Sequence, residues 1–153
     1  MAKNLIISSP EFIEDGTIPK KYTADGQGVN PPLIIDDIPE GTQYMALIMD
    51  DPDAARGLVT HWLLWDIEVA GSIGEDTDPG VSGRNTLGKT GYLPPNPPPA
   101  SGNHRYFFHI YALDTGLNLK TGSSREALET AMDGHVLASG MLMAHYGRVT
   151  EHA

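Results

Sequence analysis

The chain has no cysteine. A disulfide framework, a thiol nucleophile and a thiolate metal site are therefore excluded. Basic residues are scarce: 10 Lys and Arg stand against 20 Asp and Glu, and the net charge is −10. Nucleic acid and anionic membrane both require basic patches, so neither is expected as a partner. Long apolar runs are missing too. None approaches the roughly 20 residues of a membrane helix, so no integral membrane segment is expected. Near the N-terminus only residues 5–7 are apolar before Ser8 and Pro10, unlike a signal peptide. The expected setting is the cytoplasm.

Glycine and proline are abundant, with 17 and 12 among 153 residues. Spread along the sequence, they favour short strands joined by turns. The length suits a single domain over 1–153. Roughly 70% of the unfolded surface is buried at about this size, enough for one core.

Apolar and β-branched runs predict strands over 5–9 (at an edge), 33–35, 44–49, 61–67, 106–113 and 141–149. Alternation puts Met45, Leu47 and Met49 on one side with Asp51 and Asp53, provided the chain stays extended. In 61–67 it groups His61, Leu63, Trp65 and Ile67 against Trp62, Leu64 and Asp66. One helix is predicted over 123–132. Ser123 and Glu126 would form its capping box, with Leu128, Ala131, Met132 and His135 at helical spacing. Residues 70–92 read as a long loop, which its length marks as functional or mobile. Strands outnumber helices. The expected fold class is mainly β: two packed sheets with a helix near the C-terminus.

The chemistry gathers around 94–114. Prolines fix φ and remove donors, so 94–99 should form a stiff extended wall without helix or central strand. His104, Arg105 and Tyr106 follow where this rigid loop enters a buried strand, a common place for function. Asp51 and Asp53 close an earlier strand and His61 opens the next. Asp51-Pro52-Asp53 alone reads as an exposed acidic turn. With His61, His104 and Tyr106 also at strand ends, a shared pocket accounts for the pattern at least as well.

Two carboxylates and two imidazoles are ligand types for zinc or iron, but no short His-x-x-x-His occurs and no metal is assigned. Ser101 and Ser139 are present without a Gly-x-Ser-x-Gly elbow. No Gly-rich phosphate loop opens a helix. No catalytic residue is assigned and no cofactor is expected. Trp62, Trp65, Phe107 and Phe108 read as core. Asp36-Asp37 and Glu75-Asp76 read as solvated surface.

Asp51-Pro52-Asp53-Ala54, His61-Trp62 and the Pro-rich loop into His104-Arg105-Tyr106 resemble the phosphatidylethanolamine-binding protein family. Its prokaryotic, Raf-kinase-inhibitor-like branch is the closer match. The resemblance runs from about residue 5 to 148. It includes Ile18-Pro19-x-Lys21-Tyr22-Thr23, Pro31-Pro32-Leu33, Tyr111-Ala112-Leu113-Asp114, Gly134-His135-Val136-Leu137 and Tyr146-x-Arg148. It implies a two-sheet antiparallel β-sandwich with a small anion pocket. The ligand-binding residues it implies are Asp51, Asp53, His61, Asn96, Pro97, His104 and Tyr106. Asn96-Pro97 stands where the family has Gly-Pro; an alternative placement uses Gly91-Tyr92. Ala55 replaces a frequent proline, and the cysteine frequent in the loop and the extra C-terminal helix of eukaryotic members are missing.

The implied function is non-enzymatic binding of phosphate-type anions or phosphoethanolamine-like headgroups, with modulation of a protein partner. Two alternatives stay open. One is a hydrolase acting on a phosphorylated or acyl substrate, with His61 or His104 as base. The other is a kinase or protease inhibitor module that uses the 70–92 loop. A homodimer is also left open.

Overall fold

Large apolar side chains on both faces of two central strands hold the molecule together. The computed structural model describes residues 3–148. Its strands are β1 (Lys3–Asn4), β2 (Ile6–Ser8), β3 (Leu33–Asp36), β4 (Tyr44–Asp51), β5 (Val59–Glu68), β6 (Ser72–Ile73), β7 (Val81–Ser82), β8 (His104–Leu113) and β9 (Val136–Tyr146). The helix α1 (Arg125–Met132) lies between the last two. Lys20–Tyr22 and Pro99–Ser101 each form one 3-10 turn. One sheet has the order β1-β9-β8-β4-β5-β7 and the other β2-β3-β6. Pairing is antiparallel except between β1 and β9. The fold is thus mainly β, with two sheets and a late helix.

Alternation divides the core. Met45, Leu47, Met49, Trp62, Leu64, Phe108 and Ile110 of the large sheet join Ile7, Leu33, Ile35 and Ile73 of the small one. Ala46, Ile48, Leu63 and Trp65 face the other way and pack on Leu128 and Met132 of α1. Strands buried on both faces read as continuous apolar runs, as β4 and β5 do.

Tertiary contacts change several local expectations. The expected 5–9 strand narrows to β2 (6–8), and a separate strand before it, β1, belongs to the other sheet. Leu5 N still donates to Ser139 O, whereas Ile7 pairs with Ile35. Gly140 allows this approach, since a Cβ there would lie 2.3 Å from Leu5 O. Ile67 joins Trp62 and Leu64 rather than Leu63 and Trp65. The β4–β5 register shifts just there, and Asp66 takes a φ of 49°.

The helix begins at Arg125, later than expected. Ser124 caps it by accepting from Ala127 N, while Ser123 Oγ donates to Lys120 O, so the Ser123–Glu126 capping box does not form. Gly134, at φ 81°, lies beyond its end, and His135 bonds Asp114 instead of continuing the helical face. The last strand starts at Val136 rather than 141; Val149 lies outside the described residues. Pro99 opens a 3-10 turn, so the extended wall stops at Pro98.

Residues 70–92 are not a free loop. They contain β6 and β7. Asn30 ties them down, donating to Gly74 O at 2.9 Å and accepting from Thr77 N at 2.7 Å. Trp62 Nε1 donates to Asp78 at 3.2 Å.

Candidate functional site

The site begins where β4 ends. Asp51 is buried, and its Oδ2 lies 2.6 Å from His104 Nδ1. Its Oδ1 accepts from Asp53 N at 2.7 Å. This bond closes a turn at Pro52, so the chain does not stay extended and Asp53 leaves the side of Asp51. The Asp53 carboxylate instead meets Arg105, which donates from its backbone N at 2.8 Å and from Nε and Nη2 at 2.9 Å each. The guanidinium holds the Asp53 pKa down at about 2.

A bulge positions His61. Met49 pairs with Trp62 and Asp50 with Thr60, so His61 has no opposite residue on β4. Bulges re-aim side chains in this way beside many functional sites. His61 Nδ1 lies 2.7 Å from Leu93 O. A carbonyl only accepts, so Nδ1 carries the proton and Nε2 of the neutral ring is an acceptor. Burial pushes the His61 pKa below its ordinary 6.5, and the Leu93 bond and the nearby acids offset this only in part.

Alternation along β8 turns His104 and Tyr106 inward and Arg105 outward; the first two are 3% and 1% exposed. Their rings stack at 6.4 Å, and His61 meets the Tyr106 ring edge-on at 5.4 Å. Burial raises the Tyr106 pKa well above the ordinary phenol value, so its hydroxyl remains a donor.

The proline wall closes the other side. Ala24 N donates to Pro95 O at 2.9 Å. Arg148 donates to Pro97 O and to Asn96 Oδ1, both at 2.6 Å. Asp25 holds Arg148 through both carboxylate oxygens and also accepts from the Tyr146 hydroxyl. Asn96 therefore spends its amide oxygen on Arg148. The positive φ belongs to Gly91, at 94°, and not to Asn96.

Wall and strands enclose a cavity of about 180 Å3. Asp51, His61, Asn96, Pro97, His104 and Tyr106 line it, joined by apolar Val59, Leu87 and Leu93. Asp53, Gly91 and Tyr92 do not. Every fully buried side-chain N and O among the described residues has a hydrogen-bond partner. Among the described residues His61 Nε2 and the Tyr106 hydroxyl bond to no protein group, so each opens onto the cavity that both residues line. Among the described residues no three His, Asp or Glu side chains converge as a metal site would require.

Two features lie beyond the sequence expectation. Ser101 Oγ sits 2.9 Å from His104 Nε2 and 2.7 Å from Pro98 O. Nothing in the spacing ties Ser101 to Asp51. Asp25 and Arg148 anchor the wall; for these the Tyr146-x-Arg148 match was the one sequence signal.

A family model described as phosphatidylethanolamine-binding protein matches residues 8–147. The UPF0098 protein of Pyrococcus abyssi is 43% identical over 95% of this chain and 87% of its own. Its counterpart in Chlamydia trachomatis serovar D is 40% identical over 92% and 97%. The crystal structure of a C. trachomatis phosphatidylethanolamine-binding protein homolog matches with a TM-score of 0.90 at 38% identity, covering 95% of this chain and 98% of that one. YbcL of E. coli shares the fold, with a TM-score of 0.86 at 22% identity over 95% and 99%. Alike in sequence and fold along nearly its whole length, the chain belongs to the phosphatidylethanolamine-binding protein family, beside archaeal and bacterial members.

Proposed function

We propose that this chain is a binding protein whose cavity takes a small phosphate-bearing group, either inorganic phosphate or a phosphoethanolamine-like headgroup. One observation carries the proposal: two buried side chains keep polar atoms free of protein partners at the cavity wall. Both atoms open onto the cavity, so a ligand that bonds both takes the place of water there. The Tyr106 hydroxyl donates and neutral His61 Nε2 accepts. A phosphate offers oxygens to the first and a protonated oxygen to the second. A phosphoethanolamine adds an ammonium that Asp51 can accept.

Size agrees with this assignment. The cavity of about 180 Å3 equals roughly six waters at about 30 Å3 each. That volume accommodates a small headgroup. The cavity lining contains no Ser, Thr, Cys or Lys nucleophile, which favours binding over turnover inside it.

The test is the thermal shift of wild type and Tyr106→Phe with phosphate, phosphoethanolamine and zinc. A ligand that binds only the folded state raises the melting temperature with its occupancy. A rise with the phospho-compounds that Tyr106→Phe weakens is the expected result. A rise with zinc alone, or none, overturns the proposal.

A further inference from the structure

Just outside the cavity a second arrangement carries its own chemistry. Ser101 Oγ lies 2.9 Å from His104 Nε2, and His104 Nδ1 lies 2.6 Å from Asp51 Oδ2. A hydroxyl within reach of an imidazole, itself oriented by a buried carboxylate, is the geometry of an activated serine. We propose that Ser101 is a nucleophile and that the chain hydrolyses small carboxylic esters through an acyl-Ser101 intermediate.

The parts suit this role. His104 and Asp51 are each 3% exposed, so their contact is shielded from water, whereas Ser101 is exposed to an incoming ester. Shielding strengthens the hold of Asp51 on the imidazole. The Ser101 hydroxyl has two acceptors within reach, His104 Nε2 and Pro98 O at 2.7 Å. When His104 is neutral with its proton on Nδ1 toward Asp51, Nε2 is the more basic acceptor and draws the hydroxyl proton.

The next residue, Gly102, takes a φ of 75° and ends the 3-10 turn. Gly147 lets the end of β9 approach this segment: a Cβ there would lie 2.5 Å from Asn103 Oδ1 and 2.6 Å from Gly102 O.

The reaction balances with water alone. Ser101 Oγ attacks the ester carbonyl carbon, its proton passes to His104 Nε2, and the carbonyl π pair moves to the oxygen. The tetrahedral centre collapses, the C–O bond to the alcohol breaks, and the alcohol leaves with the proton from Nε2. Water then attacks the acyl carbon and gives a proton to Nε2. The acyl–Ser101 bond breaks, the acid departs and Ser101 recovers its proton. Asp51 acts as a positioning residue throughout. The adjoining cavity, about 180 Å3, restricts the group placed there to a small one.

The test uses the full chain with p-nitrophenyl acetate and, separately, a fluorophosphonate. The expected result is a single fluorophosphonate adduct located at Ser101 by peptide mass spectrometry, with ester turnover. Ser101→Ala, shown to be folded by circular dichroism, loses the adduct and at least ten-fold of the turnover. Asp51→Asn lowers kcat with little change in KM. Absence of the adduct, an adduct elsewhere, or equal turnover by Ser101→Ala overturns the proposal.

Discussion

Asp50 and Asp51 are neighbours in sequence, yet their carboxylates serve opposite faces of the large sheet. Asp50 meets Arg125 of α1 at 2.9 Å and His109 at 3.4 Å; Asp51 meets His104 at 2.6 Å. One strand end thus clamps the helix and supports the candidate site.

Burial alone raises the Asp50 pKa; His109 and Arg125 outweigh it and hold the group below the ordinary carboxylate value. Its charge therefore stabilises the fold above the usual acid range, and that contribution is lost as pH falls through the depressed value. Removing the guanidinium leaves His109 as the remaining partner and moves the Asp50 pKa upward from that value. Arg125→Leu is expected to cost about 3 kcal/mol at neutral pH. The loss relative to wild type shrinks toward pH 4 as Asp50 takes up a proton. Urea melts of both proteins at the two pH values measure this.

Tyr106→Phe deletes a hydroxyl with no protein partner. Phosphate affinity should fall roughly ten- to a hundred-fold, corresponding to about 1.5–3 kcal/mol for a hydrogen bond to a charged group. Folding stability should stay within about 0.5 kcal/mol of wild type. Calorimetric titration and thermal melts check the two halves. Equal affinities would place the anion away from Tyr106.

Anion binding at this cavity should depend on pH through His61. Its pKa lies below the ordinary 6.5 because burial disfavours the charged ring. As pH falls, Nε2 changes from acceptor to donor and the ring gains a positive charge. Affinity for sulfate, whose own charge is constant over this range, should rise as pH falls, with the rise lying below 6.5. His61→Gln should flatten the curve. In the ligand-free protein the unfolded chain binds the proton more readily, so stability declines as pH falls from about 6.5. A wild-type sulfate profile that is flat from pH 5 to 8 removes His61 from the site.

Asp53 and Asp51 should separate in a binding assay. Asp53 is committed to Arg105 outside the cavity, whereas Asp51 orients His104 within it. Asp51→Asn is expected to change phosphate affinity at least five-fold and Asp53→Asn less than two-fold. The reverse order would show that the turn at Pro52 opens when ligand arrives.

Arg148 touches the wall and does not line this cavity. Arg148→Ala should lower phosphate affinity several-fold by freeing Asn96 and Pro97, without removing a ligand contact. NMR relaxation at the Asn96 amide should show greater mobility in the variant. An unchanged Asn96 amide with lower affinity would contradict this account.

Legibility in the sequence followed the range of the forces involved. The extended stretch 94–98 could be read because proline acts on its own and the preceding residue. His104 and Tyr106 stood out by residue type where the proline wall meets the strand; that both point inward follows from β8 starting at His104 rather than 106. The switch of Ile67 could not, since it follows a register shift and the left-handed turn of Asp66. His61 was picked out for its residue type; the bulge that points it comes from pairing with β4. The start of β9 was hidden because Ala138, Ser139 and Gly140 carry little strand propensity and pair only because β8 lies alongside. Ser101 was visible as a serine, but its contact with His104 depends on the 3-10 turn at Pro99–Ser101.

The anchor of the proline wall lies 51 residues beyond Pro97. A nascent chain grows at roughly 5–20 residues per second, so the wall exists for seconds before Arg148 emerges. Over that interval Asp51, His61 and Tyr106 are already made, but the roof above them has no clasp. The candidate cavity therefore gains its clasp only after the strands that frame it have been made. A ligand that needs the clasped wall would thus report, by its occupancy, a chain whose last strand is in place.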